Sequence, residues 1–177
     1  MPFETSRLRV RHFQPDDAAE IYRLSQEAGM RRFLPDQVYA GEAEAAGVLG
    51  FLIAQYDDPE AVQAGVYVRA VELRESGELI GHVGLSPAEG ERELGYAIAD
   101  EHQGQGYATE LVRGTLSWIR ERKAPAGLLG IVAGDNLGSI RVLEKAGFLL
   151  VEERERSLHG ALTLVRTYRA EIPSWSG

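Results

Sequence analysis

The chain contains no cysteine. That absence excludes disulfide staples, thiolate zinc sites and a cysteine nucleophile together. Histidine is sparse: His12, His82, His102 and His159 are scattered without metal-ligand spacing, so no metal is expected. No apolar run reaches the ~18 residues of a membrane-crossing helix, and no basic-then-apolar leader opens the sequence. Neither a membrane partner nor export is expected, and a cytoplasmic protein is the reading that remains. Positive charge is also short, with 19 Lys and Arg against 27 Asp and Glu and a net charge of −8. The basic field that nucleic-acid binders use is therefore missing. Arg7, Arg9 and Arg11 form one basic cluster, and their alternation with Leu8 and Val10 reads as the solvent face of a strand.

What is present fits a single folded domain over residues 1–177. That length supports one ordinary core and is too short for two comfortable ones. Alternation over 7–12 predicts a strand, and Pro15-Asp16-Asp17 opens a helix with Ile21, Leu24 and Ala28 on one face and Gly29 as its stop. Residues 32–35 read as a loop, and 42–56 as a second helix. From Val66 the period changes. Strands are expected over 66–73, 79–85 and 92–99, joined by turns at 75–78 and 87–91. Ala108, Leu111, Val112, Thr115, Leu116 and Ile119 make the stripe of a third helix, broken at Pro125 and Gly127. A short strand over 128–133, a fourth helix from Asn136 to Gly147, and two strands around 158–160 complete the chain, with a frayed tail from Pro173.

Residues 93–109 organise this order: a strand, a glycine-rich loop, then the first turns of the third helix. Unpaired backbone N–H groups and a positive helix end are thereby aimed at one point, which suits a pyrophosphate. A Walker A loop would need a lysine after Gly106, and none is there. A dinucleotide fingerprint would need a glycine where Thr109 stands, in the first βαβ unit rather than after a three-strand meander. A tight turn with no ligand is the plainest alternative.

Gln103-Gly104-Gln105-Gly106-Tyr107-Ala108 resembles the Q/R-x-x-G-x-G/A motif of the GNAT superfamily of N-acetyltransferases. Downstream, Asn136, Ser139, Ile140, Val142, Leu143, Lys145, Gly147 and Phe148 are similar to that superfamily's second signature helix. Thr5-Ser-Arg-Leu8 with Val10 and Arg11, Asp17, and Gly77-Glu-Leu-Ile-Gly81 look like the branch of bacterial RimJ/RimL-type ribosomal-protein N-terminal acetyltransferases. The resemblance covers nearly the whole chain. It implies an α/β acyl-CoA N-acyltransferase fold, with a mixed, mostly antiparallel sheet flanked by about four helices. It also implies acetyl-CoA as co-substrate and an amine acceptor, either a protein N-terminus or a small molecule. Direct attack in a ternary complex is expected; a coenzyme-binding module without catalysis is the rival.

By the same resemblance, Gln103, Gly104, Gln105, Gly106, Tyr107, Ala108 and Thr109 hold the pyrophosphate. The backbone of Ile98 and Ala99 pairs with the pantetheine and offers an N–H to the thioester oxygen. Asn136 contacts the coenzyme, while as a residue it also reads as a plain helix N-cap. Glu93 is the candidate base, with a solvated strand carboxylate as the alternative. The superfamily's usual tyrosine acid is replaced here by Leu143, which leaves Ser139 as the candidate proton donor and Tyr96 as a fallback that reads first as core. Acceptor choice is assigned to the first two helices, the 30–39 loop and the 158–162 hairpin, because loops carry specificity.

Overall fold

The computed structural model describes residues 3–58, 60–121 and 127–172. The break expected at Pro125 and the tail from Pro173 lie outside them. Eight strands form one sheet: β1 (Phe3–Glu4), β2 (Leu8–Arg11), β3 (Tyr67–Leu73), β4 (Leu79–Ala88), β5 (Glu91–Ile98), β6 (Gly127–Ala133), β7 (Leu149–Leu158) and β8 (Ala161–Glu171). Their order is β1-β2-β3-β4-β5-β6-β8-β7, antiparallel throughout except between β5 and β6.

Among the described residues five α-helices cover it: α1 (Ala18–Ser25), α2 (Ala28–Phe33), α3 (Glu42–Ala54), α4 (Tyr107–Arg120) and α5 (Leu137–Lys145). The extra helix arises because Glu27 is extended, with ψ of 154°, and caps a new start. The single helix expected from Pro15 to Gly29 is thus split, and the expected loop at 32–35 begins as helix. No helix among the described residues is long and apolar enough to cross a membrane.

Strand alternation gives the sheet two apolar faces. Val83, Leu85, Leu94 and Ile98 pack against Leu111, Val112, Leu116 and Ile119 of α4 and Ile140 and Leu143 of α5. On the other face, Ala70, Leu79 and Ala99 meet Ile21 and Leu24 of α1 and Ala45, Leu49 and Leu52 of α3. The helical spacing of those residues puts each apolar stripe against the sheet.

The β4–β5 hairpin is longer than the sequence suggests. Its turn is only Glu89-Gly90, with φ of 52° and 80°, the left-handed pair that matches strand twist. Pro87 is tolerated inside β4 because it lies past the last β3–β4 partner pair, Tyr67↔Leu85. At the other end of the hairpin the two strands approach closely. A Cβ on Gly81 would lie 2.1 Å from the Ala97 carbonyl oxygen. Gly81→Ala is therefore expected to force the β4–β5 ladder apart and to cost about 3 kcal/mol, measured by denaturant unfolding. A loss below ~0.5 kcal/mol would show that the ladder absorbs the methyl group.

Candidate active site

The parallel partners β5 and β6 meet at one residue pair, Glu93↔Leu129, and then part. Between the parted strands, α4 and α5 lies a cavity of about 830 Å³. Its wall includes Glu93, Tyr96, Ile98, Gln103, Gly104, Gly106, Tyr107, Ala108, Thr109, Asn136 and Ser139. Gln105 is absent from that lining, and Ala99 faces the neighbouring cavity on the α1–α3 side.

The loop before α4 is built to leave amides free. Gly104 and Gly106 adopt φ of +74° and +85°. The first helical hydrogen bond of α4 is Glu110 N–H to Gly106 O, 3.0 Å. No backbone N–H from Gly104 to Thr109 donates to a described residue, so a row of donors stands at the positive end of a 14-residue helix. Gln103 holds this loop from within: its Nε2 donates to Ile98 O and to Asp100 Oδ1, both at 3.0 Å. Gln105 Nε2 likewise donates to Glu101 O at 3.1 Å.

The split edge of β5 supplies further donors. Ala99 N–H is taken by Ile80 O at 2.8 Å. In an antiparallel ladder this alternates, so the N–H groups of Ile98 and Tyr96 point away from β4, toward the gap left by β6. Of Ile98 and Ala99, it is Ile98 that keeps a free N–H.

Glu93 lies where the strands part. Burial pushes its carboxyl above the ordinary value, Glu89 adds to the rise, and His159 and Arg156 oppose it. Its neighbours are spent elsewhere: Arg156 pairs with Glu89, and His159, at φ 51°, pairs with Asp36 across the cavity mouth. Among the described residues the Glu93 carboxylate has no hydrogen-bond or ion-pair partner. A half-buried carboxylate that lines a cavity without a hydrogen-bond partner is a candidate proton acceptor.

On α5, Asn136 Oδ1 accepts from Ser139 N–H at 3.1 Å, so the N-cap role read from sequence is in place. Leu143 is buried against Gly130, whose added Cβ would lie 2.8 Å from Leu143 Cδ2. A phenol does reach this helix, from the strand: Tyr96 OH donates to Ser139 O at 3.3 Å. Burial pushes the Tyr96 phenol up to about 12, which keeps it protonated across the neutral range.

Arg7 is the residue that sequence reasoning misplaced. It precedes β2 and is not on a strand face. Its Nε sits 2.7 Å from Glu110 Oε2, its Nη1 donates to Gln105 O at 3.0 Å, and its guanidinium lies 4.3 Å from the Tyr107 ring centre. It therefore clasps the glycine loop from outside. Arg11 is likewise spent on Asp17, at 2.7 and 2.8 Å, and on Glu72. His102, isolated in sequence, meets Glu78 at 3.1 Å, with Glu101 close by on the surface.

The clasp has a pH signature. Burial alone would raise the Glu110 carboxyl, but hydrogen bonds from Thr5, the Arg7 N–H, the Arg7 guanidinium and Ser6 outweigh it and hold the group at about 2. A depressed carboxyl binds fewer protons folded than unfolded, so its contribution is full above the ordinary 4.5 and fades toward 2. Glu110→Gln is expected to lower stability by on the order of 2 kcal/mol at pH 7, allowing for the half-exposed Arg7. Unfolding curves of variant and wild type should converge as pH falls through that window. A pH-independent difference would remove the charge from the explanation.

Residues 7–149 match the family model described as an acetyltransferase (GNAT) domain. The chain belongs to the GNAT acetyltransferase family. It is 27% identical over 148 residues to the uncharacterized N-acetyltransferase YoaA of Bacillus subtilis, covering 82% of this chain and 81% of that one. Among solved structures, a ribosomal-protein alanine acetyltransferase from Vibrio fischeri superposes with a TM-score of 0.83 at 19% identity, over 100% of both chains. RimL, a ribosomal α-N-protein acetyltransferase in complex with coenzyme A, gives 0.83 at 16% identity, over 97% of this chain and 98% of that one. The sheet and its five helices are thus the GNAT fold, and the enzyme is an N-acetyltransferase. Sequence resemblance had implied that fold with about four helices; the fifth comes from the division at Glu27, and the short β1 was not anticipated.

Proposed function

We propose that this GNAT enzyme transfers the acetyl group of acetyl-CoA to a primary amine by direct attack within a ternary complex. The observation that carries the reading is one of convergence. Unclaimed N–H groups from the 104–109 loop, those on the split edge of β5, and the unpartnered Glu93 all border one cavity.

The fit to the coenzyme rests on the protein's own donors. Gly104 to Thr109 offer backbone N–H groups to a pyrophosphate, which needs no lysine and suits a chain of net charge −8. The extended pantetheine can pair with the free β5 edge as an added strand would. The Ile98 N–H, directed into the gap beside β6, would donate to the thioester oxygen, a role worth a few kcal/mol in stabilising developing negative charge. Asn136 stands at the α5 end of the same wall, and its Nδ2 remains available to the pantetheine arm. Gln103 acts by holding the loop.

In the transfer, the amine nitrogen forms a bond to the acetyl carbon as the carbon–sulfur bond breaks. The amine proton goes to Glu93, directly or through a water. The departing thiolate accepts a hydrogen bond from the Ser139 hydroxyl and takes its proton from solvent, so no serine alkoxide is left; the Tyr96 phenol, hydrogen-bonded to the Ser139 carbonyl, lies on the same wall. A thiol of pKa near 8.5 needs little assistance to leave, so the serine hydroxyl mainly orients. An α-amine, neutral in roughly one molecule in ten at pH 7, is an easier acceptor than a lysine, neutral in roughly one in thousands. The RimJ/RimL-like features of the N-terminal half fit an α-amine, whether of a protein or of a small molecule.

Titration calorimetry with acetyl-CoA, followed by mass spectrometry of a panel of amines, tests the reading. Coenzyme binding with acetylated product supports it; binding without product on any amine would favour the inactive module.

A further inference from the structure

The geometry points to an apolar acceptor. We propose that a second cavity, of about 350 Å³ between the sheet and α1–α3, receives the apolar side group of the acceptor amine, with the His82 imidazole as its hydrogen-bonding floor. This rests on the acetyltransferase reading and names the chemistry of its acceptor.

The cavity exists because the sheet face beneath α1 and α3 carries small residues. Gly84 on β4 and Gly95 and Ala97 on β5 line it, and a Cβ added to Gly95 would meet nothing within 4 Å. At the ~30 Å³ a water occupies in the liquid, its volume holds on the order of a dozen non-hydrogen atoms. The walls above are apolar: Phe13, Ile21, Leu24, Val48, Leu49 and Leu52. Phe51, 55% exposed, sits at the rim, where an acceptor would cover it.

The cavity adjoins the coenzyme site. Met30, Gln37, Ser86, Gly95, Ala97 and Ile98 line both spaces, which places the second cavity next to the free Ile98 N–H. Its depth therefore receives whatever is attached to the reacting amine.

The polar groups of the cavity select against a second charge. His82 lines it and has no hydrogen-bond or ion-pair partner among the described residues. Burial lowers the imidazole to about 4, so at neutral pH it offers one N–H and one lone pair and no charge. The two carboxylates on the wall are already engaged: Glu27 by Asp100 N–H at 2.7 Å and Arg23 at 3.3 Å, Asp36 by His159. A second ammonium would have to share a carboxylate that already has a donor. Glu93, in the adjoining space, remains for the first.

The experiment measures kcat/KM at saturating acetyl-CoA for leucinamide, phenylalaninamide, glycinamide and a polyamine. A leucine-initiated peptide and phenethylamine are added to separate a peptide N-terminus from a free amine as the source. The apolar acceptors are expected to exceed glycinamide by at least 20-fold, since each buried methylene discriminates by roughly 10-fold or more. Gly95→Val, at a position where an added Cβ meets nothing within 4 Å, should cut that preference to within about threefold, with wild-type thermal unfolding showing that the fold is intact. His82→Leu should keep the apolar preference while raising KM for acceptors that carry a hydroxyl or amide in the side group. Equal rates for apolar acceptors and glycinamide, preference for the polyamine, or an unchanged preference in Gly95→Val would each overturn the inference. If calorimetry shows acetyl-CoA bound in those cases, only the acceptor assignment fails; if no coenzyme binds, the acetyltransferase reading fails with it.

Discussion

Glu93→Gln is expected to lower turnover by about 10²- to 10⁴-fold with little change in acetyl-CoA affinity, the range that a positioned general base supplies. The amide keeps the size of the carboxylate and removes its ability to take a proton. Because burial holds the wild-type carboxyl above its ordinary value, its loss of charge on acidification begins at higher pH than for an exposed glutamate. Wild-type kcat/KM should fall as pH drops through that raised value, and the rates of the two proteins should converge below it.

The same substitution separates catalysis from folding. A carboxyl whose folded value is raised binds more protons folded than unfolded. Its cost to the fold is absent below the ordinary 4.5 and complete above the raised value. Glu93→Gln should therefore raise the Tm at pH 8 and leave it unchanged at pH 4, while activity at pH 8 collapses. A fold made firmer by the change that disables it marks a residue held for function rather than stability. Equal turnover would remove Glu93 from the mechanism, and a lowered Tm at pH 8 would show that its carboxylate is structurally engaged.

How much of this was legible in the sequence depends on the range of each interaction. The glycine loop, the start of α4 and the Asn136 cap are built from residues within a few positions of one another, and motif and spacing carry them. The division of the first helix at Glu27 was not legible, because Ile21, Leu24 and Ala28 keep a helical period across the break. Arg7 was read by alternation with Leu8 and Val10. Its partner Glu110 is 103 residues away, and nothing local announces that pairing. The free N–H of Ile98 needed the register of β4 on β5, which assigns the Ala99 N–H to Ile80 instead. The acceptor cavity needed Gly84 and Gly95, partners across two strands, to be small together. Leu143 could be read as a missing phenol, but only the packed helix brings the Tyr96 hydroxyl to Ser139.

Gly106→Val is expected to weaken acetyl-CoA binding by about 100-fold or more in calorimetry. The cause is backbone conformation rather than lack of room. A Cβ at Gly106 would meet only the Arg7 guanidinium, at 3.5 Å, whereas its φ of +85° is one that a β-branched residue adopts only under strain. Relaxing that strain rotates the peptide groups that flank Gly106 and turns their N–H groups off the anion. Each hydrogen bond to a charged group contributes roughly 1.5–3 kcal/mol, so two lost donors amount to about 3–6 kcal/mol, or 10²- to 10⁴-fold in affinity. Asparagine tolerates the left-handed region, so Gly106→Asn should stay within about 10-fold of wild type. If Asn and Val lose affinity equally, the glycine is required for close approach of the phosphates themselves. If neither loses affinity, the pyrophosphate does not bind at this loop.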